Sequence, residues 1–227
     1  MSALFSSSQI GPYTLSHRLV LAPLTRMRSG QDDIPGDLMV YYYAQRASKG
    51  GLLIAEATPV SIRGNGYQGA PGIYADLQIA GWKKVVDAVH AKGARIFLQL
   101  FHAGRQSHRD LQPGGDAPLG PSAVPFEGMA HTRSGWQPAS APREMSLDEI
   151  KVAIDEFRQG AERALAAGFD GVEIHGANGY LVDQFIQDGS NRRTDAYGGT
   201  VANRVRFLLD VTDAAAAVFG ANRVGVR

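Results

Sequence analysis

Apolar residues follow two rhythms along this chain. Five short runs are continuously apolar rather than alternating: residues 19–24, 52–57, 95–101, 171–175 and 223–227. A strand covered on both faces needs no polar side, so such runs predict buried strands of a parallel sheet. Between them the apolar positions recur at helical spacing. Trp82, Val85, Val86 and Val89 share one helix face, with Gly93 placed to cap its end. Ile150, Ile154, Phe157, Ala161 and Ala164 form a second stripe, opened by the capping box Ser146/Glu149 and closed at Gly168. Val201, Val205, Leu208 and Ala215 give a third, and a weaker helix over 36–48 ends before Gly50-Gly51.

The order is strand and helix in strict alternation, which predicts a parallel sheet with right-handed crossovers. A doubly wound sheet and a barrel both fit that pattern. Ahead of the first strand, residues 4–15 with the turn Gly11-Pro12 fit a small hairpin plugging the bottom of a barrel. One connection is too long to be a simple turn. Residues 104–143, rich in Pro, Gly and Ser, follow the third strand on the side where α/β active sites lie, and so predict a lid or binding loop. A poorly ordered insertion is the other reading of that stretch.

The 227 residues are 44% hydrophobic and 20% charged, with a formal net charge of +1. That balance gives no reason to expect nucleic acid or a membrane surface as partner. Cysteine is absent, which excludes disulfides, thiolate nucleophiles and iron–sulfur clusters. Residues 1–12 lack the basic start and apolar run of a signal peptide, and no apolar run approaches the roughly 20 residues of a membrane span. A cytoplasmic protein is expected.

Polar groups stand where each predicted strand ends: Thr25 and Arg26, Glu56 and Thr58, Gln99 and His102, His175 and Asn178, and Arg227. Strand C-termini face the active site in barrel enzymes. Any one of these residues also fits a satisfied buried polar group; five strand ends in succession favour a site. The stretch 172–180 is the sharpest. His175 and Asn178 leave the strand in a Gly-flanked turn, and both can donate to one oxygen, stabilising the enolate-like charge of an activated alkene under attack. Tyr180 carries a phenol that can deliver a proton at neutral pH. A core histidine beside a surface tyrosine is the plainer alternative.

Several stretches together carry a family resemblance. They are Pro23-Leu-Thr-Arg-Met27, Gly50-Gly-Leu-Leu-Ile-Ala-Glu-Ala-Thr58, Pro71-Gly-Ile-Tyr74, Gln99-Leu-Phe-His-Ala-Gly-Arg105, His175-Gly-Ala-Asn178 with Tyr180, and Asn191-Arg-Arg-Thr-Asp-Ala-Tyr-Gly-Gly199 with Asn203-Arg204. In this order, over nearly the whole chain, they resemble the Old Yellow Enzyme family of ene-reductases. The resemblance implies a (β/α)8 TIM barrel of the α/β class that binds FMN and takes its electrons from NADPH or NADH. It implies a small-molecule alkene as substrate: an enone, a maleimide or a nitroalkene, with nitrate esters also reduced in this branch. Carried over by motif, Pro23, Thr25, Ala57, Gln99 and Arg227 bind the cofactor. Thr25 is placed at the flavin C4 carbonyl, the Ala57 backbone at the isoalloxazine edge, Gln99 at the pyrimidine edge and Arg227 near N1 and the C2 carbonyl. His175 and Asn178 grip the activating group, and Tyr180 protonates Cα. Thr25 stands where a second branch has cysteine, and Phe101, in the substrate pocket, where the family often has tryptophan.

Two other enzyme classes compete. Glu173 and His175, joined by Glu56, would suit a divalent metal. A Schiff-base aldolase needs a strand-end lysine, yet Lys49, Lys83, Lys84, Lys92 and Lys151 all fall on helices or their caps. Finally, residues 1–227 read as a single partial barrel domain: hairpin within 1–15, long loop at about 104–143, five βα strands, the last three absent. Eight strands need about 250 residues. A C-terminal continuation or a second chain is therefore expected to complete the barrel, and a non-catalytic or split-enzyme fragment is the alternative to an enzyme.

Overall fold

A computed structural model describes residues 3–227. Its centre is a five-stranded parallel sheet. The strands are β3 (Val20–Leu21), β4 (Leu52–Pro59), β5 (Arg95–Phe101), β10 (Gly171–Ile174) and β11 (Val224–Val226). They lie side by side in chain order, with β3 at one edge and β11 at the other. A doubly wound sheet reverses its order at a switch point; this one never does. Strict succession is the arrangement of strands in a (β/α)8 barrel.

The helices that follow the strands pack on one face only. They are α1 (Asp37–Arg46), α2 (Asp76–His90), α3 (Leu147–Ala167) and α6 (Arg206–Phe219). On β5 the alternation is explicit. Ile96, Leu98 and Leu100 enter the main core with Trp82, Val85, Phe157 and Phe207, whereas Phe97, Gln99 and Phe101 lie outside that cluster on the opposite face. The opposite face is the barrel interior. At its bottom sits a hairpin of β1 (Ser8–Ile10) and β2 (Tyr13–Leu15), whose Leu15, Ile10 and Tyr13 pack on Leu52 and Phe97.

The capping of α3 shows how local sequence sets an element. Ser146 Oγ accepts the Glu149 amide at 3.2 Å, and the Glu149 carboxylate accepts the Ser146 amide at 2.8 Å. Arg143 grips the same carboxylate and, through that hydrogen bond first, holds its pKa down to about 2. Gly168 closes the helix in a left-handed cap, φ 94°. Ser146→Ala is expected to lower stability by about 1 kcal/mol in chemical denaturation; an unchanged midpoint would show that Arg143 alone anchors this end.

Two expectations from the pattern need correction, and two features add to it. The first strand is two residues long rather than six, because only Val20 and Leu21 find partners, on Leu52 and Leu53. The third helical stripe is displaced. Val201 is exposed in a separate helix, α5 (Val201–Arg204), and the buried row of α6 is Phe207, Val211, Ala215 and Phe219. That i, i+4 row carries two phenylalanines and so hides more apolar area than the row through Leu208. A short helix, α4 (Leu181–Ile186), stands in the connection after β10. The stretch 104–143 is built rather than loose. It holds the hairpin of β7 (Met129–Thr132) and β8 (Gly135–Pro138), and β6 (Leu119–Gly120) pairs with β9 (Arg143–Glu144). Arg193 clasps this excursion, donating to the Pro121 and Met145 carbonyls at 2.9 and 2.6 Å.

Candidate active site

The inner face of β5 carries Gln99, which is fully buried. Its register partner on β10 is Glu173, and Gln99 Nε2 donates to Glu173 Oε1 at 2.7 Å. The other amide atom, Gln99 Oε1, is buried without a hydrogen-bond partner. A buried acceptor left open costs about 1–3 kcal/mol, so an N–H donor brought to this face would be held there. Burial raises the Glu173 carboxyl above its ordinary pKa; the Gln99 hydrogen bond and the Arg227 charge oppose it.

His175 follows β10, and its amide donates to the Leu100 carbonyl at 3.0 Å. Burial, seconded by the Arg227 cation, pushes its pKa down to about 4. The ring is therefore neutral at pH 7. The Ala177 amide donates to Nδ1 at 3.4 Å, which assigns the ring proton to Nε2. Next, Asn178 and Gly179 both adopt the left-handed region, φ 60° and 78°. Asparagine and glycine are the residues that tolerate it best. The two turn the chain back so that Tyr180 meets His175 and Phe101 edge to face, with ring centroids 4.9 and 4.6 Å apart. Gln184, on α4, fixes this return by donating to the Ala103 and Gly179 carbonyls at 3.0 and 2.7 Å.

The Tyr180 hydroxyl lies 2.7 Å from the Tyr67 hydroxyl. Burial first, and this hydrogen bond second, hold the Tyr180 phenol well above its ordinary pKa. Tyr180 thus keeps its proton at any physiological pH. Tyr67 in turn meets Trp136 of β8 at 6.3 Å and bridges to His131 of β7, so the long excursion forms one wall here. Neither Tyr67 nor Trp136 stands out in the sequence. Their only signal is an aromatic residue in a loop on the strand C-terminal side.

The remaining candidates divide. Ala57 is buried beside Phe101 and Ala103, flanked by Tyr67 and Tyr180, at the irregular step of β4 between Ala55 and Thr58. Arg227 continues β11, its amide donating to the Ile174 carbonyl at 3.0 Å, and its charge is felt at His175, Glu173 and Tyr180. The Asn178 side chain is exposed and unbonded; its carbonyl accepts from Gln106 at 3.0 Å. Pro23 and Thr25 lie half-buried at the far edge of the sheet, beyond β3. Glu56 does not join Glu173 and His175. Its carboxylate binds Tyr43 and the Arg26 amide instead, and among the described residues no three metal-ligating side chains converge. His102, at the end of β5, also turns out to be structural: it is buried, its pKa is pushed down to about 3 by burial, and its Nδ1 accepts the Gly104 amide at 3.0 Å.

A family model described as the NADH:flavin oxidoreductase / NADH oxidase family matches residues 3–227. The chain belongs to the NADH:flavin oxidoreductase family. A flavin oxidoreductase of Emericella nidulans, hxnT, is 50% identical over 231 residues, covering 100% of the chain and 59% of that protein. The 12-oxophytodienoate reductase 1 of Oryza sativa subsp. japonica is 50% identical over 228 residues, covering 99% and 58%. Among solved structures, morphinone reductase in complex with tetrahydroNAD matches with TM-score 0.95 and 50% identity, over 100% of this chain and 64% of that one. An Old Yellow Enzyme homologue from Zymomonas mobilis matches with TM-score 0.95 and 46% identity, over 100% and 63%. The chain thus spans about 60% of the length of these relatives, and its sheet is part of a (β/α)8 barrel. These relatives are flavin oxidoreductases and Old Yellow Enzyme homologues. The family's cofactor is FMN, reduced by a nicotinamide nucleotide.

The residues present fit that cofactor. The open, buried Gln99 Oε1 is an acceptor suited to the N3–H of a flavin pyrimidine ring. The Arg227 cation, near Glu173 and His175 on the same face, suits the charge that a reduced flavin carries. No helix among the described residues is long and apolar enough to cross a membrane.

Proposed function

We propose that the polypeptide carrying this chain reduces carbon–carbon double bonds conjugated to a carbonyl or nitro group, with NADPH or NADH as donor. The observation that carries this reading is one cluster on the inner face. A neutral His175 with Nε2–H and a proton-bearing Tyr180 flank each other against Phe101, which shares its face of β5 with the open Gln99 acceptor. When bound at this face, FMN would supply the hydride-transfer chemistry. His175 donates to the activating oxygen, and Asn178, at the rim of the turn, adds a second donor. Charge develops on that oxygen during the reaction, so donors placed for it favour the transition state. Tyr180 delivers its proton to Cα, and the alkene gains one hydrogen on each carbon. Pro23, Thr25, Ala57, Gln99 and Arg227 would hold the flavin, and Phe101 would shape the substrate pocket.

The described residues form one partial barrel domain with two open sheet edges. The remaining strands come from a C-terminal continuation or a second chain, and the cofactor phosphate would be received there, after the seventh and eighth strands, as is usual in such barrels.

Ligand binding tests the reading. In the flavin-loaded protein, a phenol or enone titrated into the site should bind, and His175→Ala combined with Asn178→Asp should weaken it. Asp tolerates the left-handed backbone at 178, so the turn is kept while the donor is replaced by a charged acceptor. The expected cost is about 1.5–3 kcal/mol per donor lost to a charged acceptor. Undiminished phenol affinity in the double variant would remove the pair from the site.

A further inference from the structure

Glu56 is 1% exposed, yet it lies outside the cluster just described. Its Oε2 accepts the Arg26 amide at 2.9 Å, with the Met27 amide contributing as well. Its Oε1 accepts the Tyr43 hydroxyl at 3.0 Å, and that hydroxyl accepts the Glu56 amide at 2.9 Å. One carboxylate therefore ties three things together: helix α1 through Tyr43, the irregular step of β4 that presents Ala57, and the segment after β3 that presents Thr25. That segment leaves the ladder at Leu21, and Met27 within it sits in the left-handed region, φ 52°. Beyond the ladder its path is held by local anchors: Ser29 N–H donates to the Gly69 carbonyl, Arg28 donates to the Arg26 and Met27 carbonyls, and Glu56 is the anchor that ties the turn to β4 and α1.

We propose that Glu56 is a positioning residue that sets Thr25 and the Ala57 backbone at a common distance from the flavin edge, and so helps set the flavin's reduction potential. This rests on the FMN reading above. Tyr43 holds the carboxylate in the orientation the Arg26 amide requires. A glutamine at 56 keeps the size but replaces one acceptor oxygen with an amide group that cannot receive N–H donors.

The test uses the full-length flavin-loaded protein with Glu56→Gln, Tyr43→Phe, Thr25→Val and the double variant Glu56→Gln/Thr25→Val. Glu56→Gln should move the flavin midpoint potential and visible absorption maximum in the same direction as Thr25→Val. The double variant should move them no further than the larger single change, as expected when one residue acts through the other. FMN should bind about tenfold more weakly, the consequence of one lost buried hydrogen bond. In the flavin-free protein, the amides of Arg26 and Met27 should exchange with deuterium about tenfold faster, as local opening becomes easier. Should Glu56→Gln fail to fold, Tyr43→Phe keeps the aromatic packing and should give smaller shifts of the same sign. A Glu56→Gln or Tyr43→Phe protein that loses thermal stability but keeps the wild-type potential, absorption maximum and amide exchange overturns the proposal. Failure of the cofactor reading looks different: no variant, nor the unsubstituted protein, would take up FMN.

Discussion

Expressed with no other polypeptide, residues 1–227 are expected to yield a self-associating protein without stoichiometric flavin. Two structural facts lead there. The sheet is open at β3 and at β11, and an open edge presents unpaired backbone donors and acceptors to any other chain. Both edges are also apolar and uncovered: Leu19, Val20 and Leu24 are 48%, 42% and 53% exposed on one side, and Val226 is 50% exposed on the other. Such surface drives association. The inner face is only part of a barrel lining, so a flavin placed on it would meet protein on one side alone. Gel filtration and the visible spectrum of the purified chain check this. A soluble monomer holding one FMN per chain would mean that the five-stranded sheet suffices, and that the edges need no closure.

Tyr180→Phe should slow the alkene half-reaction by about 10²–10⁴-fold, the usual contribution of a positioned general acid. It should leave reduction of the flavin by nicotinamide near its original rate, because that step takes no proton from this phenol. The substitution keeps the ring, and hence the contacts with Phe101 and His175. What it removes is the hydroxyl that Tyr67 meets at 2.7 Å. Each hydroxyl carries one proton, so when Tyr180 donates to a substrate, Tyr67 must be donating to Tyr180. Stopped-flow measurement of the two half-reactions separates the outcomes. Equal slowing of both would make Tyr180 a shaper of the pocket instead of a proton donor.

The three central strands were legible because a strand packed on both faces must be apolar throughout, and that pattern survives any detail of packing. The first strand was not, since its extent depends on partners: residues 22–24 continue the apolar run but pair with nothing among the described residues. The six residues of α4 are too few for a helical period to show. At the site, the strand-end rule pointed to Gln99 and His175 by position alone. It could not reveal that Tyr67 bonds to Tyr180, a pairing 113 residues apart in the chain. Nor could it distinguish Glu56, turned outward to Tyr43, from Glu173, turned inward to Gln99. The stretch 191–199 resembled a family signature, and its visible work is mechanical. Asn191 binds the Phe185 and Tyr197 carbonyls, both at 2.7 Å, and Arg193 clasps the excursion that brings Trp136 to Tyr67.

The strict succession of strands in the sheet bears on how the chain is made. Each strand from β4 onward docks on the one that precedes it in the sheet, so every addition closes only the intervening loop. Loop-closure entropy rises slowly with length, and short closures are quick. A chain leaving the ribosome can therefore assemble strand by strand, laying helices on the outer face as they emerge. The hairpin of β1 and β2, already waiting at the bottom, receives Leu52 and later Phe97 in turn. In a closed barrel only the joining of β3 to the last strand would have to span the whole length. That single long-range event would be the slow step of folding, and until it happens β3 stays an open edge available to wrong partners.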